Sequence, residues 1–554
     1  MLALLFYQAV AAIYYGRPLW GRFESFYAGQ SSDPAYYLWC MVWWPYALSH
    51  RLNPFLTKLL WAPEGFTVTW STSIPLLSFV AAPITLTRGP VVAFNVLNLL
   101  LPALTAWSGF LLIRHIVGRT APALLGGYLF GFSPFMAAAQ AAGHIVFTGA
   151  FFIPAAIYLV LARLEERLSL QWFGTLLTIT LVGQFLISIE VLATMIMFGA
   201  IALIAAAFFW PEKRSGLFSI GVAVTAALAA SALVLSPYLF YLFRASGAGL
   251  RPVWAGTAAS DLLEFIVPTR VIMIGLLPPL RAIAAHYVYD SYVWDSGAYT
   301  SLPILAVAVV FLRSEWRRPS SKFITLMIVT IAVAMLGRHL RVDGRNVAKL
   351  PWLLIGALPF INSAVTARFA IYFHLLLALV IASWIADRRY GVLLKSGVAA
   401  LIVLAQLPNL HSSFWVHPLN VPAFFTSSSY RQNLREGETV LVLPYGKGDS
   451  MLWQIYSGMY FALPEGWTGP IPSSFQAWPI LEAFRRGSAI PNEGNQLNAF
   501  LSAHGVSTIL IDPIFPRAGF WTSLLQAQGA RVEEIDGVIL VRRAPSQTPF
   551  KAGK

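Results

Sequence analysis

The chain has 554 residues, of which 57% are hydrophobic and 11% charged, with a mean hydropathy of +0.66 and a formal charge of +14. Soluble globular chains carry about 25% charged residues, so this composition excludes a soluble enzyme, a disordered scaffold and a collagen-like fibre, and points to a polytopic membrane protein. The residues after Asn409 hold 11 Lys/Arg against 10 Asp/Glu, so the positive excess belongs to the apolar part, where it orients loops and does not mark a nucleic-acid partner.

The first apolar stretch, 2–15, is followed by Arg17 and Arg22. It has no basic leader and no small-residue cleavage site, so it does not read as a signal peptide. It is short for a span, as though the chain started inside its first helix. Residues 16–72 form a polar-aromatic outer loop. Further spans are predicted at about 91–113, 121–136, 145–163, 171–187, 191–210, 215–243, 299–313, 322–337, 367–387 and 396–410. Two short apolar pieces punctuated by proline, 73–87 and 350–364, read as half-helices or as two more spans, for a total of about 11–13.

Lys and Arg fill every second short loop: Arg114 and Arg119, Arg163 and Arg167, Lys213 and Arg214, Arg313 to Lys322, and Arg388 to Lys395. Those loops are cytoplasmic by the positive-inside rule, which puts the N-terminus inside and the tail outside. In the tail, the apolar runs 438–444, 505–512 and 537–541 alternate with a helical stretch at 496–504. That alternation predicts a small extracytoplasmic α/β domain over 411–554, after a membrane domain over 1–410. The single cysteine, Cys40, makes no internal disulfide.

The outer loop holds the most informative segment. Asp33-Pro34 starts a helix, with the carboxylate placed to cap its first turn. Aromatic residues follow at 36, 37, 39, 43, 44 and 46, the composition of a helix lying flat at the membrane surface. A second flat piece is expected at 54–61, before Pro63-Glu64-Gly65.

A carboxylate just after the first membrane helix, then surface helices, then a bundle, resembles the GT-C glycosyltransferases. Within that superfamily the chain is similar to bacterial membrane proteins with the pattern Asp-Pro-x(4)-Trp…Asn-Pro-Phe…Pro-x-Gly, here Asp33-Pro34, Trp39, Asn53-Pro54-Phe55 and Pro63-Glu64-Gly65. Asn95, Asp261 to Thr269, Tyr299 to Pro303, Leu358-Pro359 and Arg368-Phe369 extend the order of motifs along the chain. The resemblance implies an inverting enzyme of the bacterial inner membrane. It would move a sugar from a polyprenyl-phosphate donor to a glycan, lipid or protein acceptor at the outer face, in cell-envelope assembly. The alternative is a flippase of lipid-linked saccharides without transferase chemistry.

Such a transfer needs a base for the acceptor hydroxyl and cations for the departing phosphate. Asp33 is the expected base and Glu24 the reserve. The outer segment with Arg338, Arg341 and Arg345 is basic without a topological reason, and with Arg368 it suggests a site for the donor phosphate. His50 and Arg51 are further phosphate candidates, unless they snorkel to membrane lipid. Asp261, Glu264, Trp254 and Trp294 combine carboxylates with aromatic faces, as in sugar-binding grooves. His286 and Asp290, at i and i+4, would suit a divalent metal if helical. No phosphate-cradling glycine loop or nucleotide fingerprint is present, as suits a lipid-linked donor. Gln140, His144, Gln184 and Glu190 lie at span ends, and an ionisable group at membrane depth calls for a function.

Overall fold

The computed structural model describes residues 1–245, 258–288, 296–356, 364–446, 448–469 and 471–543. The fold is helical, with a small sheet near the C-terminus. Among the described residues six helices are long and apolar enough to cross a membrane: Pro90–Val117, Ile145–Leu164, Leu170–Ile187, Ile189–Phe209, Pro211–Val234 and Thr366–Ala386. The pair Thr120–Gly131 and Pro134–Ala142 makes a seventh if counted as one span bent by 42°. Leu302–Ser314, Pro319–Met335 and Val392–Ala405 are apolar but shorter, at three of the positions where spans were expected. The protein is a multi-pass membrane protein. The expected total of 11–13 counted such shorter pieces as spans. Length makes the difference: these three helices run 13, 17 and 14 residues, and the first, Leu2–Ala11, only 10.

The chain divides into two compact units. The first comprises Met1–Ser31, Val91–Ser236 and Trp254–His417, and the second Ser32–Pro90, Pro237–Val253 and Pro418–Lys554. The grouping cuts across chain order, because the Asp33 segment belongs with the tail.

In the first unit, the membrane helices pack with small residues at their contacts. Gly126 lies where a Cβ would meet Ile113 at 2.7 Å, and at Gly131 a Cβ would meet the Ala106 backbone at 2.6 Å. Asn95 is fully buried and pins the preceding loop: its Oδ1 accepts from the Ala28 N–H at 2.9 Å, while Nδ2 donates to the carbonyls of Phe23 and Phe26 at 3.0 and 2.8 Å. That motif residue is a backbone clamp.

In the second unit, Asp33–Ser49 forms one 17-residue helix with Ser32 as N-cap and Asp33 in its first turn. Its rings form a ladder, with Tyr36 stacked on Trp39 at 6.2 Å and Trp39 on Trp43 at 5.2 Å. Each indole N–H finds a protein acceptor: Trp39 donates to Gln454 Oε1 (2.6 Å), Trp43 to the Pro54 carbonyl (2.9 Å) and Trp44 to the Ser73 carbonyl (2.8 Å). The segment expected to lie flat at the membrane surface is therefore enclosed within its own unit. An amphipathic ring with one polar tip suits either place, and here the tips have protein partners. The piece expected as a second flat helix, 54–61, is instead a two-strand turn in which Leu56–Thr57 pairs with Phe66–Thr67. Asn53 Oδ1 accepts from the Phe55 N–H at 3.0 Å, so the Asn-Pro-Phe motif is turn chemistry.

The tail carries a four-stranded sheet in the order Val440–Leu443, Thr508–Ile511, Val538–Arg542, Arg531–Ile535. The first two strands are parallel and in register from Val440↔Thr508 to Leu443↔Ile511, and the others are antiparallel. Both parallel strands are buried at every position, which explains why they read as unbroken apolar runs. The predicted helix at 496–504 is observed as Glu493–Ala503.

Candidate functional site

In the second unit, the tail folds onto the start of the aromatic helix. Trp467 Nε1 donates to Asp33 Oδ1 at 2.9 Å, a contact across 434 residues of sequence. Gly448, at φ +84°, comes so close that a Cβ would stand 2.6 Å from the Ala35 Cβ. Only glycine fits there: the left-handed conformation and the approach both exclude a side chain. Gly448 precedes the helix Asp449–Tyr456, from which Gln454 receives the Trp39 indole.

Near this contact Glu465 is buried, and its Oε1 has no hydrogen-bond partner. Burial pushes its carboxyl up to about 8, against a hydrogen bond from Ser450 and with the nearby Asp449 charge adding to the shift. Asp33 therefore lies half-buried in the first turn of its helix and accepts from an indole N–H, and Glu465, two residues before that indole, has its carboxyl raised by burial. His50 is exposed, stacked on Tyr46 at 4.0 Å, with its Nδ1 at 3.0 Å from the Tyr46 carbonyl. Arg51 follows it, exposed, at φ 57°.

In the first unit, Glu24 is exposed in a turn of the loop that Asn95 clamps. The basic segment forms a hairpin, His339–Val342 with Arg345–Lys349, whose second strand is exposed throughout. Arg341 and Arg345 belong to those two strands, and Arg338 just before them donates to the Gly356 carbonyl at 3.2 Å. Asp261 holds the hairpin's tip: its carboxylate accepts from the N–H groups of Asp343 (3.2 Å) and Gly344 (2.8 Å), and from Leu263 (2.9 Å). Glu264 is buried and accepts from the Ala298 N–H at 2.9 Å, and burial pushes its carboxyl up to about 7. Both residues expected to line a sugar groove thus serve the backbone around them, while their expected companions Trp254 and Trp294 lie outside the described residues.

His286 lies beyond the end of the helix Pro278–Ala284 and pairs with Asp343 at 2.8 Å. The helical i, i+4 spacing with Asp290 is not formed at His286, and Asp290 itself lies outside the described residues. Among the described residues no group of three or more His, Cys, Asp or Glu side chains is arranged to hold a metal ion.

Arg368, expected to meet a phosphate, binds Glu190 Oε2 at 2.7 Å and lies over the Phe147 ring at 4.6 Å. The Asp33–Trp467 and Gly448–Ala35 contacts had no signal in the sequence, because both join distant segments through single side chains.

The chain matches the family model described as "Domain of unknown function (DUF6311)" over residues 3–411. It belongs to that family. No curated protein matches it. Among solved structures it is similar to the Archaeoglobus fulgidus oligosaccharyltransferase tethered to an acceptor peptide containing the NVT sequon. The identity is 12% and the TM-score 0.51, over 99% of this chain and 74% of that one. It also matches AglB from the same organism in complex with an inhibitory peptide and a dolichol-phosphate, at 12% identity and TM-score 0.44 over 99% and 74% of the two chains. A third match is ArnT from Cupriavidus metallidurans bound to undecaprenyl phosphate, at 11% identity and TM-score 0.41 over 98% of each. In fold, the chain resembles the Archaeoglobus fulgidus oligosaccharyltransferase.

Proposed function

We propose that the protein is an inverting glycosyltransferase that moves a sugar from a polyprenyl-phosphate donor to an acceptor at the outer face of the bacterial inner membrane. The observation that carries the reading is Asp33: a half-buried carboxylate at the start of a rigid aromatic helix, held by the Trp467 indole, in a chain with the GT-C fold. The indole N–H fixes the direction of the carboxylate, as a general base requires.

Asp33 takes the proton of the acceptor hydroxyl as that oxygen attacks the anomeric carbon. The bond from that carbon to the phosphate oxygen breaks, and its electron pair leaves on the polyprenyl phosphate. The sugar passes through an oxocarbenium-like state. The departing phosphate needs cations, and the hairpin arginines Arg338, Arg341 and Arg345 are assigned to it. The orientation follows the positive loops, with the N-terminus in the cytoplasm and the tail outside.

The test uses the full protein in nanodiscs with a panel of sugar-loaded undecaprenyl phosphates and an acceptor extract from bacterial envelope. Release of bare undecaprenyl phosphate by wild type, lost in Asp33→Asn, supports the reading. Equal release by both proteins removes Asp33 as the base. Movement of intact lipid-linked saccharide across vesicle membranes without cleavage makes the protein a flippase.

A further inference from the structure

In the first unit, two helix breaks and the start of a third helix come together around Arg368. The bent helix Thr120–Ala142 ends with Gly143 in the left-handed conformation, before the short helix Ile145–Thr148. Leu170–Ile187 and Ile189–Phe209 are separated by Ser188 alone, in extended conformation, its hydroxyl accepting from the Val191 N–H. Arg368 lies in the opening turn of the span Thr366–Ala386. All three points lie at helix ends away from the loops rich in Lys and Arg.

Arg368 links them, with its guanidinium on Glu190 after the second break and over Phe147 after the first. The segment after the first break also approaches the second, since a Cβ on Gly149, just past the short helix, would meet Ile187 Cγ2 at 3.6 Å.

Around this junction, buried polar atoms lack hydrogen-bond partners within the protein: Gln140 Oε1, both amide atoms of Gln184, and Glu190 Oε1. Gln140 lies in the last turn before the first break, Gln184 in the last turn before the second, and Glu190 in the turn just after it. Gln184 is 0% exposed and Gln140 1%, whereas the Arg368 and Glu190 side chains keep 19% and 28% of their surface. The ion pair is thus partly open where the two amides are closed. An unpartnered buried amide is costly in any folded protein, and more so near hydrocarbon.

The kind of atom left over identifies the ligand. Three of the four are acceptors and one, Gln184 Nε2, is a donor. A phosphate offers acceptors and would leave the three oxygens unsatisfied. Arg368, the cation that would attract it, is already paired with Glu190 and carries no net charge to the junction. A metal cation would face the Arg368 guanidinium. A ligand with several hydroxyl groups, each able to donate and accept, answers all four atoms.

We propose that this junction binds the sugar of the lipid-linked donor, with Gln140, Gln184 and Glu190 Oε1 holding its hydroxyls and the Arg368–Glu190 pair closing one side. The assignment rests on the transferase reading above. It moves Arg368 from the phosphate, where the sequence placed it, to the sugar.

The experiment measures binding of bare undecaprenyl phosphate, and of the same lipid loaded with a hexose, an N-acetylhexosamine or a pentose, to the protein in nanodiscs. Wild type is expected to bind at least one loaded lipid more tightly than the bare one. Gln184→Leu and, separately, Gln140→Leu should each cut that sugar increment about tenfold, the loss of one or two buried hydrogen bonds. An increment that survives both substitutions, with only the melting temperature changed, means that the amides hold internal water and overturns the proposal. No increment for any sugar in wild type overturns it as well. Failure to bind even the bare lipid is a different result, and it removes the transferase reading itself.

Discussion

Two carboxylates face different partners in the two units. Asp33 in the second is held by an indole N–H, and Glu190 in the first by a guanidinium. The geometry is similar, one contact of 2.9 Å and one of 2.7 Å, but the charge is not. An indole N–H orients a carboxylate with a neutral dipole, whereas a guanidinium also brings a positive charge to it. On the reading proposed above, the partner decides the role, base at Asp33 and fixed hydrogen-bond acceptor at Glu190. Sequence position does not, since both carboxylates lie in the first turn of a helix.

Substitution can break this comparison on either side. The largest effect is expected from Asp33→Asn, which keeps a helix-start side chain but cannot take a proton. Turnover of the loaded lipid should fall at least ~100-fold with the melting temperature unchanged. If turnover stays near wild type, the two carboxylates are equivalent and the base lies elsewhere, with Glu24→Gln the next variant to assay.

Next comes the ion pair. Glu190→Leu removes the carboxylate from the Arg368 guanidinium and should destabilise the protein by about 1.5–3 kcal/mol, read by thermal unfolding in detergent. The double variant Glu190→Leu/Arg368→Leu should recover part of that loss, because a half-buried charge that has lost its carboxylate costs more than an absent pair. Equal losses in the two would mean the pair is too solvated to matter.

A smaller change is expected from Trp467→Phe, which keeps the ring but removes the N–H. Donor binding should be unaffected and turnover about tenfold lower. Rescue of turnover in Trp467→His, which restores an N–H, would sharpen the assignment of Trp467 as a positioning residue; a loss of donor binding would argue against it.

The mildest expectation concerns Glu465, whose carboxyl is raised from 4.5 to about 8 by burial. The folded state then holds a proton that the unfolded state releases between those values. Stability from this group is complete below about pH 4.5 and is lost progressively as pH rises to about 8. Glu465→Gln stays neutral and should give a flatter profile of melting temperature from pH 5 to 8. An unchanged slope would assign the pH dependence to other groups, with Glu264, raised to about 7, the first to replace.

Much of the architecture was legible in the sequence. The charge deficit and the long apolar runs determined a polytopic helical membrane protein, because a bilayer leaves a chain few ways to satisfy its backbone. The parallel strands of the tail showed themselves as apolar runs, because burial on both faces removes alternation. Asp33-Pro34 marked a helix start, because a carboxylate and a fixed φ both suit the first turn.

Tertiary structure alone decided what those residues touch. The ring ladder of 36–46 has one composition whether it faces headgroups or protein, and only the acceptors at Gln454, Pro54 and Ser73 settle it as core. Asp261 reads like a groove carboxylate, yet its oxygens hold the hairpin tip at Asp343 and Gly344. Arg368 reads like a free cation until Glu190, 178 residues away, is found on it. Composition and periodicity report the average environment of a segment. A side chain's partner is set by the packing of segments far apart in the chain, and local sequence carries no record of that.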